Sequence, residues 1–509
     1  MRRDGTGPGA RGSSVGSSRA GARIASICVA ASIAVTLTAA APQGGDAPHS
    51  KHSLRAKAEQ HRFHAARSDT VGRLEFSSPG AVVRAPGTGS RPPSVADSNT
   101  TQFVVDGVPV ILRRLTGTDV VAANVYLIGG TREAPAGKAG IEPLLLEASE
   151  RGTRRFPKEA LRRRMAMLGT QIVIDPEPDW TTIGIRATVG TFDSTWAVLA
   201  ERLMRPTLDS GEVELVRQQF LSGVAQREDS PDALVAHLAD SIAFLGSHYA
   251  IDEVGDLASL QSITLADLRA YHTRTFVKSR MLVVVVGNVS RARVENLVRT
   301  SIARLPAGSY AWQAPREGLA SPGPADIVYA QRALPTNYIQ GYFGGPPATS
   351  ADYQALRVAT AILSGRLFEE IRARRNLTYA VHAPFVERAV SAGGLYVTTA
   401  QPDTTLALMR VEIDQLQRRA IVAEALDRIV QQFITEYFLD NETNADQADF
   451  LAQAYLFRGD WKAADRFVDE LRDVTPQDIQ RVARTYMKNV RFAYVGDSTR
   501  LRRARVRQF

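Results

Sequence analysis

Apolar and polar positions between residues 101 and 500 switch repeatedly between a period of two and a period near 3.6. Residues 103–112 alternate around Asp106-Gly107, which predicts a β-hairpin. Residues 120–128 are apolar and rich in β-branched side chains, a strand. Residues 158–168 carry helical spacing and stop at Gly169. Residues 171–175 and 181–188 read as strands, the second alternating Ile183, Ile185 and Ala187. Helical patterns then dominate from about 211 to 273, before an apolar strand at 283–286. The same order returns downstream: a strand near 338–343, a helix at 353–363, strands near 379–384 and 394–399, then helices.

That second passage is a repeat of the first. Val216-Arg217-Gln218-Gln219-Phe220-Leu221 recurs as Ile429-Val430-Gln431-Gln432-Phe433-Ile434, and Leu238-Ala239 recurs at the same offset as Leu451-Ala452. Ile263-Thr264 with Asp267-Leu268 matches Val474-Thr475 with Asp478-Ile479. Each copy runs on through an aromatic, Phe276 or Tyr486, to an apolar stretch ending in Gly287 or Gly496. Ordered matches at nearly constant offset predict two homologous α+β halves, each an antiparallel-rich sheet with helices packed on it. The first half is expected at 101–306 and the second at 325–500. Residues 307–324, with Pro315, Gly318, Pro322, Gly323 and Pro324, read as the linker between them.

Charge and cysteine usage narrow the function classes. The formal net charge is +9. Residues 1–100 hold 13 Lys+Arg against 6 Asp+Glu, and the basic tail 501–509 adds four arginines, which leaves −2 on residues 101–500. A nearly neutral body does not suit a nucleic-acid partner. Cys28 is the single cysteine, so neither an internal disulfide nor a thiolate zinc site is expected. Arg2, Arg3, Arg11, Arg19 and Arg23 precede an uncharged run at 24–41 that ends Ala39-Ala40-Ala41-Pro42. Residues 1–41 thus read as a secretory signal, or as a retained anchor, and place the chain outside the cytoplasm, in a periplasmic or comparable space. Ser26, Ser32, Thr36 and Thr38 make the run weakly apolar and favour cleavage; contact with a membrane is expected only if the segment is kept. Residues 42–100 read as a flexible linker or pro-segment, and the pairs His49/His52 and His61/His64 within it are adventitious.

Several motifs carry a family resemblance. In the first half they are Gly130-Thr131-Arg132-Glu133, Gly140, Gly152-Thr153 and Leu168-Gly169; in the second, the run from Ser364 through Leu367-Phe368-Glu369-Glu370-Ile371 to Arg372, followed by Tyr379. In this order, over roughly residues 101–498, the chain resembles the insulinase/pitrilysin family of zinc peptidases, whose inverted motif is His-x-x-Glu-His on a helix. The resemblance implies two halves closing as a clam-shell chamber. In the family, two histidines four apart bind zinc, the glutamate before the second activates a water, and a later glutamate is the third ligand.

This chain departs from the pattern at every such position. Pro143, Leu146 and Glu147 stand where the motif residues belong, and the downstream acidic pair falls on Ser222-Gly223. Proline cannot ligate, and leucine neither binds metal nor accepts a proton. Glu142, Glu147 and Glu150 read as a solvated acidic helix face, so no metal is expected here. The resemblance assigns Arg372 and Tyr379 to the Arg/Tyr pair that reaches the substrate carbonyl, with Phe343, Gly344 and Gly345 at a strand exit where a peptide backbone approaches. A lost zinc site beside a kept Arg/Tyr pair resembles the non-catalytic subunit of the bacterial two-chain branch. That role implies a heterodimer with a homologous chain bearing His-x-x-Glu-His and the zinc, and inactivity alone. The alternative is a stand-alone peptide-binding or scaffolding module.

Overall fold

The computed structural model describes residues 99–509. The expected export segment, the stretch following it up to residue 98, its two His-x-x-His pairs and Cys28 lie outside the described residues.

Strands β1 (Thr100–Val105), β2 (Val108–Arg114), β3 (Val120–Ile128), β4 (Gln171–Pro176), β5 (Trp180–Thr188) and β6 (Met281–Gly287) form one sheet in the order β1-β2-β6-β3-β5-β4. Only the β2–β6 pair is parallel. The first hairpin turns on Asp106 (φ 46°) and Gly107 (φ 93°), a left-handed pair whose twist matches that of the flanking strands. Strands β7 (Asp326–Gln331), β8 (Asn337–Pro347), β9 (Thr378–His382), β10 (Phe385–Val386), β11 (Val390–Thr399) and β12 (Arg491–Gly496) build the second sheet. Its order is β10-β11-β8-β12-β7, with β9 also paired to β11 and a single parallel pair, β7–β12. The protein is therefore an α+β molecule of two similar lobes.

Helices α1 (Ile141–Ser149), α2 (Lys158–Leu168), α3 (Phe192–Met204), α4 (Ser210–Asp229), α5 (Pro231–Ala243) and α6 (Leu265–Thr275) belong to the first half. Helices α7 (Asp352–Leu367), α8 (Ala423–Asp440), α9 (Asn444–Arg458) and α10 (Pro476–Tyr486) belong to the second. The repeated Thr-x-x-Asp signature is a capping box in both copies: Thr264 with Asp267 opens α6, and Thr475 with Asp478 opens α10.

The halves exchange a helix. Val283 and Val285 of β6 point into the first core, whereas Leu282, Val284 and Val286 on the opposite face meet Leu451, Ala452 and Leu456 of α9. In the second sheet Phe492 and Tyr494 of β12 face the second core, and Ala493 and Val495 meet Leu234, Val235 and Ala239 of α5. Both central strands are apolar on both faces because both faces are covered, which is why β6 reads as an unbroken hydrophobic run. The repeated alanines, Ala239 and Ala452, are fully buried and let each exchanged helix lie close to the other half's sheet.

Two segments set apart in the sequence are integral parts of the body. Residues 501–509 are not a detached basic tail: Leu501, Val506 and Phe509 are buried in the second core, and the Phe509 ring lies 5.1 Å from Phe492. Arg502 and Arg505 pair with Asp403, and Arg503 with Asp326, so the arginines fasten the segment down. Within the linker, the Trp312 indole donates to the Leu456 carbonyl at 2.7 Å.

Candidate functional site

Arg372 and Tyr379 are brought together by an irregular turn. After α7 the chain widens into a single π-helical stretch, Phe368–Ala373, in which the Arg374 amide donates to the Glu369 carbonyl five residues back. Asn376 (φ 51°) then reverses the chain into β9. The Arg372 guanidinium lies 5.0 Å from the ring centroids of both Phe368 and Tyr379. Tyr379 is 83 % exposed although it sits in a strand, with the Arg372 guanidinium against its ring. Its strand is held beside it by the Ala380 amide, which donates to the Thr378 hydroxyl at 3.0 Å. The neighbouring cations are engaged separately: Arg374 with Glu369 at 3.0 Å and Arg375 with Glu370 at 2.7 Å. A phenol and a guanidinium presented together are hydrogen-bond donors suited to a carbonyl or an oxyanion.

The strand exit at Phe343, Gly344 and Gly345 is filled by the protein's own chain. Phe343 is buried in the second core. A Cβ on Gly344 would collide with the Leu319 carbonyl oxygen, and the Leu319 amide donates to the Gly345 carbonyl at 3.0 Å. The backbone that comes close to these glycines here is the inter-half linker.

Helix α1 carries the altered zinc-motif positions, and its surroundings suit packing. It opens at Gly140 (φ 83°), where a Cβ would strike the Val254 carbonyl. Pro143 sits in the first turn, where its missing N–H costs nothing. Pro143 and Leu146 are both buried, and Glu147 is half-buried. Arg202 closes the C-terminal end by donating to the Leu146 carbonyl and to the Ser149 hydroxyl, each at 3.3 Å. Ser222 is exposed and Gly223 half-buried on α4, which packs against α1. A proline ring, an isobutyl group and a glycine supply no zinc ligand, so these residues do not fit the metal of the family motif. Among the described residues there is no group of three or more His, Cys, Asp or Glu side chains placed to hold a metal ion.

The acidic face expected on this helix is only partly solvated. Glu150 is exposed, but Glu142 is buried: Tyr271 donates to it at 2.7 Å, Thr181 donates to its other oxygen, and Arg280 lies 3.7 Å away. Burial pushes its carboxyl up from the usual range, with Arg280 opposing. Glu142, expected on the solvated face, instead turns inward toward Arg280 beneath the helix.

A buried polar seam between the halves has no signature in the sequence. Asp179, 2 % exposed, accepts from the Tyr249 hydroxyl at 3.1 Å and from the Ala389 amide at 2.9 Å, and forms an ion pair with Arg132. Burial, with Arg132 and Arg388 nearby, holds the His248 imidazole down at about 4. A second polar contact between the halves lies at Asp449 of α9, which accepts from Tyr126 at 2.6 Å and Asn124 at 2.8 Å.

Comparison with known proteins agrees with this architecture. Residues 262–433 match the family model described as the peptidase M16 inactive domain. The chain is 24% identical over 388 residues to an uncharacterised zinc protease of Mycobacterium bovis, covering 74% of this chain and 88% of that protein. It is 22% identical over 346 residues to the non-peptidase homolog YmxG of Helicobacter pylori, covering 66% of this chain and 79% of the relative. The crystal structure of a peptidase M16 inactive domain from Pseudomonas fluorescens superposes with a TM-score of 0.72 at 18% identity, over 79% of this chain and all of that one. The fold is thus a two-lobed, M16-like architecture. The chain matches the M16 (insulinase/pitrilysin) family through the domain described as inactive.

Proposed function

We propose that this chain is the non-catalytic subunit of an exported zinc metallopeptidase. It pairs with a homologous chain bearing His-x-x-Glu-His, which holds the zinc, and its two lobes close a peptide chamber. Arg372 and Tyr379 donate to the carbonyl of the bound peptide and to the oxyanion formed as the partner's activated water attacks. The observation that carries this reading is an asymmetry within one molecule. The motif helix has been converted to packing, with Pro143 and Leu146 buried, while Tyr379 stands 83 % exposed against the Arg372 guanidinium. A chain that had lost all contact with substrate would have no use for that exposed ring. The name of the Helicobacter pylori relative, a non-peptidase homolog, accords with a member lacking its own chemistry.

The test is recovery of the tagged, full-length chain from its own cells, with mass identification of whatever co-purifies stoichiometrically. A homologous His-x-x-Glu-His chain, and zinc-dependent peptidase activity only in the recovered complex, is the expected result. Recovery of this chain alone, binding peptide without cleaving it, would replace the proposal with the stand-alone binding module.

A further inference from the structure

Helix α2 is a surface helix with an unusual charge. Residues 150–168 hold seven Lys+Arg (Arg151, Arg154, Arg155, Lys158, Arg162, Arg163, Arg164) against Glu150 and Glu159, in a body whose residues 101–500 sum to −2. Leu161 is the single fully buried residue of α2. The inward stripe is Lys158, Leu161, Met165 and Leu168, spaced three and four apart, with Lys158 tied to Glu212 at 2.8 Å. The outward stripe is Glu159, Arg162, Arg163, Ala166 and Met167, all exposed. Arg154 and Arg155, in the loop leading into the helix, are exposed as well. Of the four exposed arginines, Arg162 pairs with Glu159 at 3.5 Å, and Arg155 lies 5.2 Å from the Phe156 ring; among the described residues Arg154, Arg155 and Arg163 form no ion pair. Met167 is 77 % exposed one turn beyond Arg163.

We propose that this face docks on a bilayer surface carrying anionic phospholipid. Several unpaired arginines gathered on one helix and its entry loop are attracted to such a surface without needing a fixed partner geometry. The flexible thioether of Met167 suits shallow insertion between headgroups while the arginines stay at phosphate level. The rest of the sequence points to the same surface. An apolar run at 24–41 follows five arginines on the same chain, and residues 1–100 carry +7. Stable attachment takes two signals, and where that segment is kept the arginine face supplies the second. No helix among the described residues is long and apolar enough to cross a membrane, so the contact is peripheral. The inference does not depend on the peptidase reading.

The test is co-sedimentation of the full-length chain with vesicles of phosphatidylcholine alone and of phosphatidylcholine mixed with phosphatidylglycerol. It compares the native protein with the triple variant Arg154→Gln, Arg155→Gln, Arg163→Gln. Binding to the neutral vesicles reads the N-terminal segment and is expected to be equal in both proteins. Binding to the anionic vesicles is expected to weaken about a hundredfold in the variant, roughly fivefold for each arginine removed, and to converge with the neutral value at high salt. Should the triple variant misfold, Arg163→Ala alone is expected to show the fivefold step. Equal partition of native and variant protein onto anionic vesicles overturns the proposal. So does loss of a co-purifying acidic protein from the variant with vesicle binding unchanged, which would assign the face to a protein partner.

Discussion

The Arg372 guanidinium lies over the ring of Tyr379, 5.0 Å from its centroid, on a turn that Ile371 anchors in the second core. The stack holds the guanidinium and the ring side by side and stiffens a long side chain that would otherwise sample many rotamers. In the complex with a catalytic partner, Arg372→Ala and Tyr379→Phe are each expected to lower the peptidase rate about a hundredfold, the range for removal of an oxyanion donor. Folding stability is expected to change by less than about 0.5 kcal/mol, because the Tyr379 ring is in solvent. Steady-state kinetics beside thermal unfolding of both variants check this. Unchanged rates in both would remove the pair from any role in catalysis.

Restoring the zinc motif is expected to fail. Leu146→Glu would put a carboxylate where a side chain 1 % exposed now packs in the first core, at a cost of about 3 kcal/mol. Pro143→His and Glu147→His added to it would still leave Ser222-Gly223 without a third ligand. The triple variant is expected to melt well below the native protein and to bind no zinc by elemental analysis. Stoichiometric zinc with a native melting temperature would show that the helix had kept its ability to hold metal.

The elements were largely legible in the sequence because the local signals agree with the fold. The Asp106-Gly107 turn and the stop at Gly169 were readable from residue type and spacing alone, whereas the repeated Thr-x-x-Asp marked the repeat and its capping role came from the structure. The helix exchange was not, since periodicity reports that a strand is apolar on both faces but not which helix covers it. Glu142 was misread for a related reason: a buried carboxylate and a solvated one look alike until Arg280, 138 positions away in the chain, is found beneath it. The loss of the zinc chemistry was plain, because Pro143 and Leu146 are excluded as ligands by their atoms, whatever the fold.

The seam at Asp179 yields a third expectation. Tyr249 donates to Asp179, and its oxygen accepts from the Val390 amide at 3.3 Å, so a single hydroxyl ties β11 of the second half to the first. Tyr249→Phe keeps the ring but leaves that amide without its acceptor and Asp179 with one donor fewer. The expected loss is roughly 1–3 kcal/mol of stability. The Ala389 and Val390 amides should also exchange with solvent faster, ahead of the rest of β11. Unaltered exchange at both positions would mean that the hydroxyl does not hold the halves together.

Asp449 makes the contact of α9 with the first sheet depend on pH. Burial pushes its carboxyl up to about 6; the Tyr126 hydrogen bond and the charge of Arg186 oppose this, and Asp175 adds to it. The Arg186 guanidinium reaches it only through Asn124, whose carbonyl oxygen it meets at 2.8 Å. A carboxyl whose folded-state value lies above its unfolded one binds more protons when folded. Its stabilising share is therefore complete below about pH 4 and is lost as pH rises through about 6. A shift of about two units corresponds to about 3 kcal/mol, so the grip of α9 on the first sheet should be firmer at pH 5 than at pH 7. Other buried groups titrate in the same window, His248 in the opposite direction, and the useful quantity is the difference between the native protein and Asp449→Asn. Denaturant unfolding of both at several pH values from 4 to 8 is expected to show the variant gaining on the native protein as pH rises. Parallel curves would mean that Asp449 keeps an ordinary carboxyl in the folded state and that the exchange of helices is indifferent to pH.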